Sequence, residues 1–93
     1  MEFYTIRVEK NAAKDLTKIK RSGKKSDILK IERIFKELAK TPYEGEGNPE
    51  RLKYDLSGYW SRRINKKDRL VYKVSEDEVI VTVISALGHY FDK

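Results

Sequence analysis

The sequence predicts an α+β fold in which an N-terminal helical hairpin covers one face of a curved antiparallel sheet. The chain begins with an alternating apolar segment, continues with two amphipathic stretches of helical period, and ends with short alternating segments. Only two or three residues separate most of these later segments, so we expect neighbouring strands to run antiparallel. A chain of 93 residues buries roughly 60–65% of its unfolded surface, which predicts one domain over residues 1–93.

The first strand is predicted at residues 3–9, where β-branched and aromatic residues alternate with polar ones. A helix is expected to follow from Asn11, whose side chain suits an N-terminal cap, to the Ser22-Gly23 break. A second helix is predicted at residues 24–39, because Thr41-Pro42 stops helical geometry. The apolar stripe of the first helix is Ala12, Leu16 and Ile19, and that of the second is Ile28, Ile31, Phe35 and Leu38.

A loop is predicted at residues 43–49, which contain two glycines and a proline. The remaining predicted strands span residues 51–56, 59–65, 70–74 and 78–86. Alternation along them separates two faces of the sheet. Arg69 shares a face with Val71 and Lys73, whereas Leu70, Tyr72 and Val74 point towards the helices.

Arg63 joins Arg69 on the uncovered face if Trp60 and Ile64 point into the core. Arg62 then points to the core side, and we expect it near an edge where its guanidinium reaches water. The sequence thus predicts a cationic concave surface.

The composition narrows the classes of site. A net charge of +6 and a pI near 9.5 favour a polyanionic partner such as nucleic acid, although many small domains are basic for solubility alone. The absence of cysteine excludes disulfides, thiol nucleophiles and thiolate zinc sites, and a single histidine argues against a transition-metal site. We expect no metal and no cofactor. The charged N-terminus does not read as a signal peptide, and the most apolar stretch, residues 79–87, is too short for a membrane helix, so we expect a cytoplasmic protein.

The sequence contains candidates for the groups that metal-independent RNA cleavage requires: a base, an acid and a set of cations. Glu50 is a candidate base where the loop enters a strand, but spacing alone does not distinguish it from the other acidic residues among the 15 in the chain. The single histidine, His89, has the side chain best suited to a neutral-pH acid, and otherwise reads as a solvated tail residue. The candidate cations are Lys53, Arg63 and Arg69. Trp60 and Tyr90 could stack on bases or simply pack.

Residues 41–72, TPYEGEGNPERLKYDLSGYWSRRINKKDRLVY, followed by His89-Tyr90, strongly resemble the YoeB/Txe toxins of the RelE superfamily. Over the first forty residues only the order strand, helix, helix agrees. The resemblance implies a microbial-ribonuclease-like fold and a messenger-RNA endoribonuclease acting in the ribosomal A site. It further implies silencing by a cognate antitoxin, and operator DNA as an indirect partner through the antitoxin complex. A homodimer is left open, and no membrane partner is expected.

The resemblance also implies roles for individual residues. Glu50 matches the family's general base, His89 its general acid and Arg69 the arginine that stabilises the phosphorane. Residues that match those holding the phosphate and the scissile nucleotides are Lys53, Arg63 and Tyr90.

Two features depart from the family pattern. The chain continues past the His-Tyr pair with residues 91–93, Phe-Asp-Lys, and Arg51 stands where a proline is common. Two rival functions remain open at this point. The first is a toxin of the same fold that inhibits DNA gyrase, as the related ParE branch does. The second is a non-catalytic basic module that binds RNA or ribosomes.

Overall fold

The computed structural model describes residues 3–88, in which two α-helices pack on a five-stranded sheet. The elements in chain order are β1 (Thr5–Val8), α1 (Lys10–Ser22), α2 (Lys25–Leu38), β2 (Glu50–Arg51), a 3₁₀ turn (Tyr54–Leu56), β3 (Tyr59–Arg63), β4 (Arg69–Ser75) and β5 (Ile80–Ser85). The predicted α+β class, with a helical hairpin before the main sheet strands, is confirmed.

The sheet is mixed, which corrects one part of the prediction. Its strand order is β1-β5-β4-β3-β2, and β1 pairs with β5 in parallel, with Ile6 opposite Val81. The other three pairings are antiparallel. Short turns impose antiparallel pairing only on strands that follow each other directly along the chain. Between β1 and β5 lies most of the chain, including both helices, and a crossover of that length permits parallel pairing.

The predicted bounds of α1 are correct at its C-terminal end only. Gly23 adopts the left-handed conformation, with φ of 76°, and its N–H donates to the carbonyl of Lys20 at 3.2 Å, as the predicted Ser22-Gly23 stop requires. The helix starts earlier than predicted. Glu9 is the residue in extended geometry at the N-cap position, so Asn11 lies within the first turn and the predicted Asn11 cap is wrong.

The core lies between the helices and the inner face of the sheet. Ile34, which is absent from the predicted stripe of α2, is fully buried together with Leu38, whereas Ile31 and Phe35 pack at the margin. The buried apolar cluster is Ala12, Ile19, Ile34, Leu38, Ile64, Leu70, Tyr72, Val81, Val83 and Ala86. Leu70 and Tyr72 therefore face the helices, as strand alternation predicts, and Val74 packs against the same cluster.

The predicted strand at residues 51–56 is wrong beyond its first residue. β2 ends at Arg51, and the N–H of Leu52 still donates to the carbonyl of Tyr59 at 2.9 Å before the chain turns into the 3₁₀ segment. Tyr54 has a positive φ of 57°, which a pleated strand does not permit. The chain must reverse within a few residues to start β3, so the turn replaces the ladder.

Within residues 3–88, no helix has both the length and the apolar character needed to cross a bilayer.

Candidate functional site

A carboxylate and a guanidinium meet at the β2 edge of the sheet. In the β2–β3 ladder Glu50 lies opposite Ser61, and in the β3–β4 ladder Arg63 lies opposite Arg69. Residues opposite each other share a face, so Glu50, Ser61, Arg63 and Arg69 project from the side of the sheet away from the helices. Nη1 of Arg69 lies 3.2 Å from Oε1 of Glu50 and 3.3 Å from Oγ of Ser61. The register thus unites groups that are 19 residues apart in sequence.

The two partners of this ion pair differ in exposure. The Arg69 side chain is only 19% exposed, whereas that of Glu50 is 58% exposed. An exposed pair of this kind contributes about 0.2–1 kcal/mol to stability, so folding gains little from it. The carboxylate remains accessible to a ligand, beside a guanidinium that is largely enclosed. In this arrangement Glu50 can accept a proton from a ligand while the Arg69 guanidinium beside it stays in place.

Ser61 is the member of this group that is not among the candidate residues predicted from the sequence. It is 1% exposed, and its hydroxyl oxygen accepts the hydrogen bond from Arg69. A serine in a strand carries no signal of such a role. The register of β3 between β2 and β4 could have revealed it, but β2 was assigned to the wrong residues.

The predicted cationic face is present but is not open throughout. Arg63 and Lys73 are exposed, and Nζ of Lys73 lies 5.9 Å from the ring centroid of Tyr59. Val71 is nevertheless fully buried and Thr82 is 7% exposed on the same face. The centre of this face is therefore closed to solvent although the helices do not cover it, because its smaller side chains are enclosed by longer neighbours.

Lys53 lies outside the Glu50–Arg69 pair. It is exposed, just past β2, on the rim of an open pocket of about 800 Å³ whose aromatic lining is Tyr43, Tyr54 and Trp60. Arg51 stacks over Trp60, with 5.6 Å from its guanidinium carbon to the ring centroid. Trp60 is half-buried and packs against the core, so the packing interpretation of this residue is confirmed.

The structure contradicts the prediction that Arg62 lies near an edge of the sheet where its guanidinium reaches water. It is fully buried, so its guanidinium does not reach water. Nη1 lies 2.7 Å from Oε1 of Glu37, and Nε donates to the hydroxyl of Tyr72 at 3.2 Å. Backbone carbonyls of the loop accept its remaining N–H groups. The Glu37 side chain is 35% exposed, so the ion pair is only partly buried. Removing Arg62 would nevertheless take a hydrogen-bond donor from three loop carbonyls and the Tyr72 hydroxyl, so this arginine matters more to the fold than the Arg69 pair does.

A second cluster attaches the same loop to the β4–β5 turn. The Glu76 carboxylate accepts hydrogen bonds from the hydroxyls of Tyr43 and Tyr4, and the Tyr43 ring lies 5.1 Å from that of Trp60. Burial and the hydrogen bond to Glu76 raise the pKa of Tyr43 to about 12. The hydrogen bonds from Tyr43 and Tyr4 hold the pKa of Glu76 below its ordinary value.

This cluster predicts a dependence of stability on acid. A carboxyl group whose pKa is lower in the folded state stabilises the fold above its unfolded pKa of 4.5, and that contribution is lost as the pH falls through the folded pKa. We expect the wild-type protein to lose more unfolding free energy than Glu76→Gln between about pH 5 and about pH 3, measured by urea denaturation. Glu78→Gln, which changes an exposed carboxylate nearby, should follow the wild type; equal losses in all three proteins would contradict the assignment.

His89 and Tyr90 lie outside the described residues, as does the 91–93 extension. The predicted acid and the predicted nucleotide-binding tyrosine are therefore not located. Of the sequence-predicted site residues, the structure brings together Glu50, Arg63 and Arg69 and leaves Lys53 on the adjoining rim.

Comparison with known proteins places this chain in a family. A model of the YoeB-like toxins of bacterial type II toxin–antitoxin systems matches residues 8–90. Toxin YoeB of Escherichia coli O6:H1 is 50% identical over 54 residues, covering 58% of this chain and 64% of that protein. Toxin YoeB of Streptomyces coelicolor is 48% identical over 61 residues, covering 66% and 70%. The match to the Escherichia coli relative thus spans under two thirds of its length.

Solved structures agree over nearly the whole chain. The YoeB/ParE toxin from Agrobacterium tumefaciens superposes with a TM-score of 0.84 at 34% identity, covering 92% of this chain and 99% of that one. The YoeB dimer from Staphylococcus aureus gives a TM-score of 0.77 at 35% identity, covering 94% and 98%. Sequence family and three-dimensional structure agree, and the chain belongs to the family of YoeB-like toxins of bacterial type II toxin–antitoxin systems.

Proposed function

We propose that this protein is the toxin of a toxin–antitoxin pair and inhibits translation as a ribosome-dependent endoribonuclease that cleaves messenger RNA in the A site. The observation that carries the proposal is the Glu50–Arg69 pair, with 3.2 Å between carboxylate and guanidinium on an accessible sheet face. Family membership supports it, and the net charge of +6 suits an RNA partner. Neither a metal ion nor a cofactor takes part in the proposed reaction.

The proposed reaction uses the RNA's own 2′-hydroxyl as the nucleophile. Glu50 takes the proton from this hydroxyl, the 2′ oxygen bonds to the adjacent phosphorus, and the bond to the 5′ oxygen breaks as His89 supplies a proton to it. Arg69, held by Ser61 and Glu50, stabilises the charge that develops on the phosphorane. Arg63 and Lys53 hold the phosphate by charge, and Tyr90 holds a scissile nucleotide.

The proposed partners follow from this reaction and from the relatives. A YoeB–YefM toxin–antitoxin complex from Staphylococcus aureus has been solved as a heterotetramer, and a YoeB dimer from the same organism is also known. We infer a cognate antitoxin with an acidic segment that folds onto the cationic face, where charge complementarity favours it. Contact with operator DNA would then occur through the antitoxin complex, and self-association is a further proposal.

The chemistry predicts the ends of the RNA fragments. In a purified translation system, the protein should produce fragments with a 2′,3′-cyclic or 3′ phosphate and a 5′ hydroxyl, and His89→Gln should slow their appearance roughly 10²–10⁴-fold. The fragments are mapped by primer extension with and without ribosomes, and the end groups by their susceptibility to a 5′-hydroxyl kinase. A 5′-phosphate product would rule out the mechanism.

The same assays separate the rival functions. The structural relative from Agrobacterium tumefaciens carries both the YoeB and ParE names, so inhibition of DNA gyrase is the specific alternative. Loss of gyrase supercoiling with intact messenger RNA would favour it. A non-catalytic binding module would inhibit translation without any cleavage, and a Glu50→Gln, His89→Gln double variant would then retain full inhibition.

A further inference from the structure

Arg62 has an acceptor for every N–H group of its guanidinium. Nε donates to the Tyr72 hydroxyl and Nη1 to the Glu37 carboxylate, at 3.2 and 2.7 Å. Three backbone carbonyls of one loop accept the other N–H groups: that of Glu46 at 3.3 Å, and those of Thr41 and Glu44 at 2.8 and 2.9 Å. A guanidinium carries five N–H donors in a fixed plane, so the loop at residues 41–46 is wrapped around one rigid group.

Neighbouring groups complete this wrapping. The Tyr72 hydroxyl, which accepts from Arg62, donates to the carbonyl of Pro42 at 2.6 Å. The Glu37 carboxylate also accepts from the N–H of Glu46 at 2.7 Å. Side chains of α2, β3 and β4 thus meet inside the loop.

The glycines of the loop fit this arrangement. A Cβ atom on Gly45 would lie 2.2 Å from Oε1 of Glu37, and one on Gly47 would lie 2.9 Å from the carbonyl oxygen of Arg63 and 3.1 Å from Cβ of Arg62. Both glycines also have positive φ angles, which side chains of other residues disfavour. The two glycines at 45 and 47 let the backbone close around Arg62.

The wrapped loop leads directly to Glu50. The carbonyl of Gly47 accepts from the N–H of Arg63 at 2.6 Å, and Glu50 then begins β2 opposite Ser61. The exposed ion pair with Arg69 is too weak to fix the Glu50 backbone by itself. The anchored loop on one side and the short ladder on the other therefore define where Glu50 stands.

We propose that Arg62 is a positioning residue: it never touches RNA, and it holds the 41–47 loop so that Glu50 enters β2 at the place where it can accept the proton of the 2′-hydroxyl. This role rests on the proposed ribonuclease function. It divides the adjacent arginines of β3 into two tasks, because Arg62 organises the loop on the inner face while Arg63 meets the phosphate on the outer face.

The test is Arg62→Lys, which keeps the charge but leaves three donors of different geometry. We expect kcat for cleavage on programmed ribosomes to fall roughly 10²-fold with KM changed less than about twofold, because a misplaced base slows chemistry without weakening binding. Amide hydrogen exchange, followed by mass spectrometry, should accelerate selectively in residues 43–48. Tyr72→Phe removes one hydroxyl from the cluster and should shift both readouts in the same direction, by less. Arg21→Lys, an exposed change at the end of α1, is the matched control.

Each other outcome overturns the proposal. A raised KM with unchanged kcat would mean that Arg62 contributes to RNA binding. Faster loop exchange with unchanged kcat would mean that the loop does not position the base, and a lower kcat with wild-type exchange would place the effect elsewhere. If Arg62→Lys does not fold, as judged by circular dichroism, Tyr72→Phe decides by the same criteria. Failure of the wild-type protein and the Arg21→Lys control to cleave would instead overturn the proposed function itself, and this role of Arg62 with it.

Discussion

Replacing Glu50 by glutamine is expected to slow messenger-RNA cleavage by roughly 10²–10⁴-fold, the usual contribution of a positioned general base. Glutamine keeps the shape and can still approach Arg69, but its amide does not accept the proton of the 2′-hydroxyl. Because the side chain is largely exposed and its ion pair is weak, the free energy of unfolding should change by less than about 1 kcal/mol. The measurement is the single-turnover cleavage rate on programmed ribosomes, with stability followed by urea denaturation.

Glu32→Gln is the matched control for this experiment. Glu32 is exposed on α2, on the helix side of the sheet, so the variant loses the same charge without touching the Glu50 edge. It should cleave at the wild-type rate. Cleavage by Glu50→Gln within a few-fold of that rate would remove Glu50 from the mechanism, whatever the fate of the other proposed residues.

Replacing Arg69 by glutamine is expected to lower the cleavage rate by roughly 10²–10³-fold, as removing a preorganised group that stabilises a transition-state charge does. Its guanidinium is fixed by Glu50 and Ser61 in a largely enclosed position, so little reorganisation is needed when charge develops on the phosphate. Arg69→Lys should recover only part of the rate. An ammonium group cannot form the two parallel hydrogen bonds to phosphate oxygens that a planar guanidinium forms. The measurement is again the single-turnover rate.

A general loss of positive charge must be separated from this specific effect. Arg21→Gln removes one charge from the exposed end of α1 and should leave the rate unchanged at about 0.15 M salt, where surface fields are screened beyond about 8 Å. If a higher RNA or ribosome concentration restored the cleavage rate of Arg69→Gln, Arg69 would have a role in binding. That result would contradict its proposed role in stabilising the phosphorane.

The sequence predicted most of the fold because short connections and periodicity are local signals. Three errors in the predicted fold arise because contacts between distant parts of the chain override these local signals. Asn11 suits a cap, but the path out of β1 puts the N-cap two residues earlier, at Glu9. Residues 51–56 alternate like a strand, but the chain must turn before β3. The parallel direction of β1 is fixed by contact with β5, far away in sequence.

The candidate site was predicted in part. Alternation placed Arg69 on the uncovered face, and it placed Arg63 there on the condition that Trp60 and Ile64 face the core, as they do. Alternation also sent Arg62 inward, but no local rule showed that Glu37, Tyr72 and the loop carbonyls would receive its guanidinium there. The roles of Glu50, His89 and Lys53 rested on family resemblance, because single charged residues on a basic surface carry no positional signal.

By itself, the sequence determined the helical hairpin, the order of most strands and the face on which two arginines lie, because these follow from backbone geometry within a few residues. Only the tertiary structure decided that Glu50 and Ser61 meet Arg69 and that Arg62 lies enclosed. Those contacts depend on strand register and on a loop folded around a buried charge. A buried guanidinium requires acceptors from several distant segments at once, and only the assembled fold supplies them.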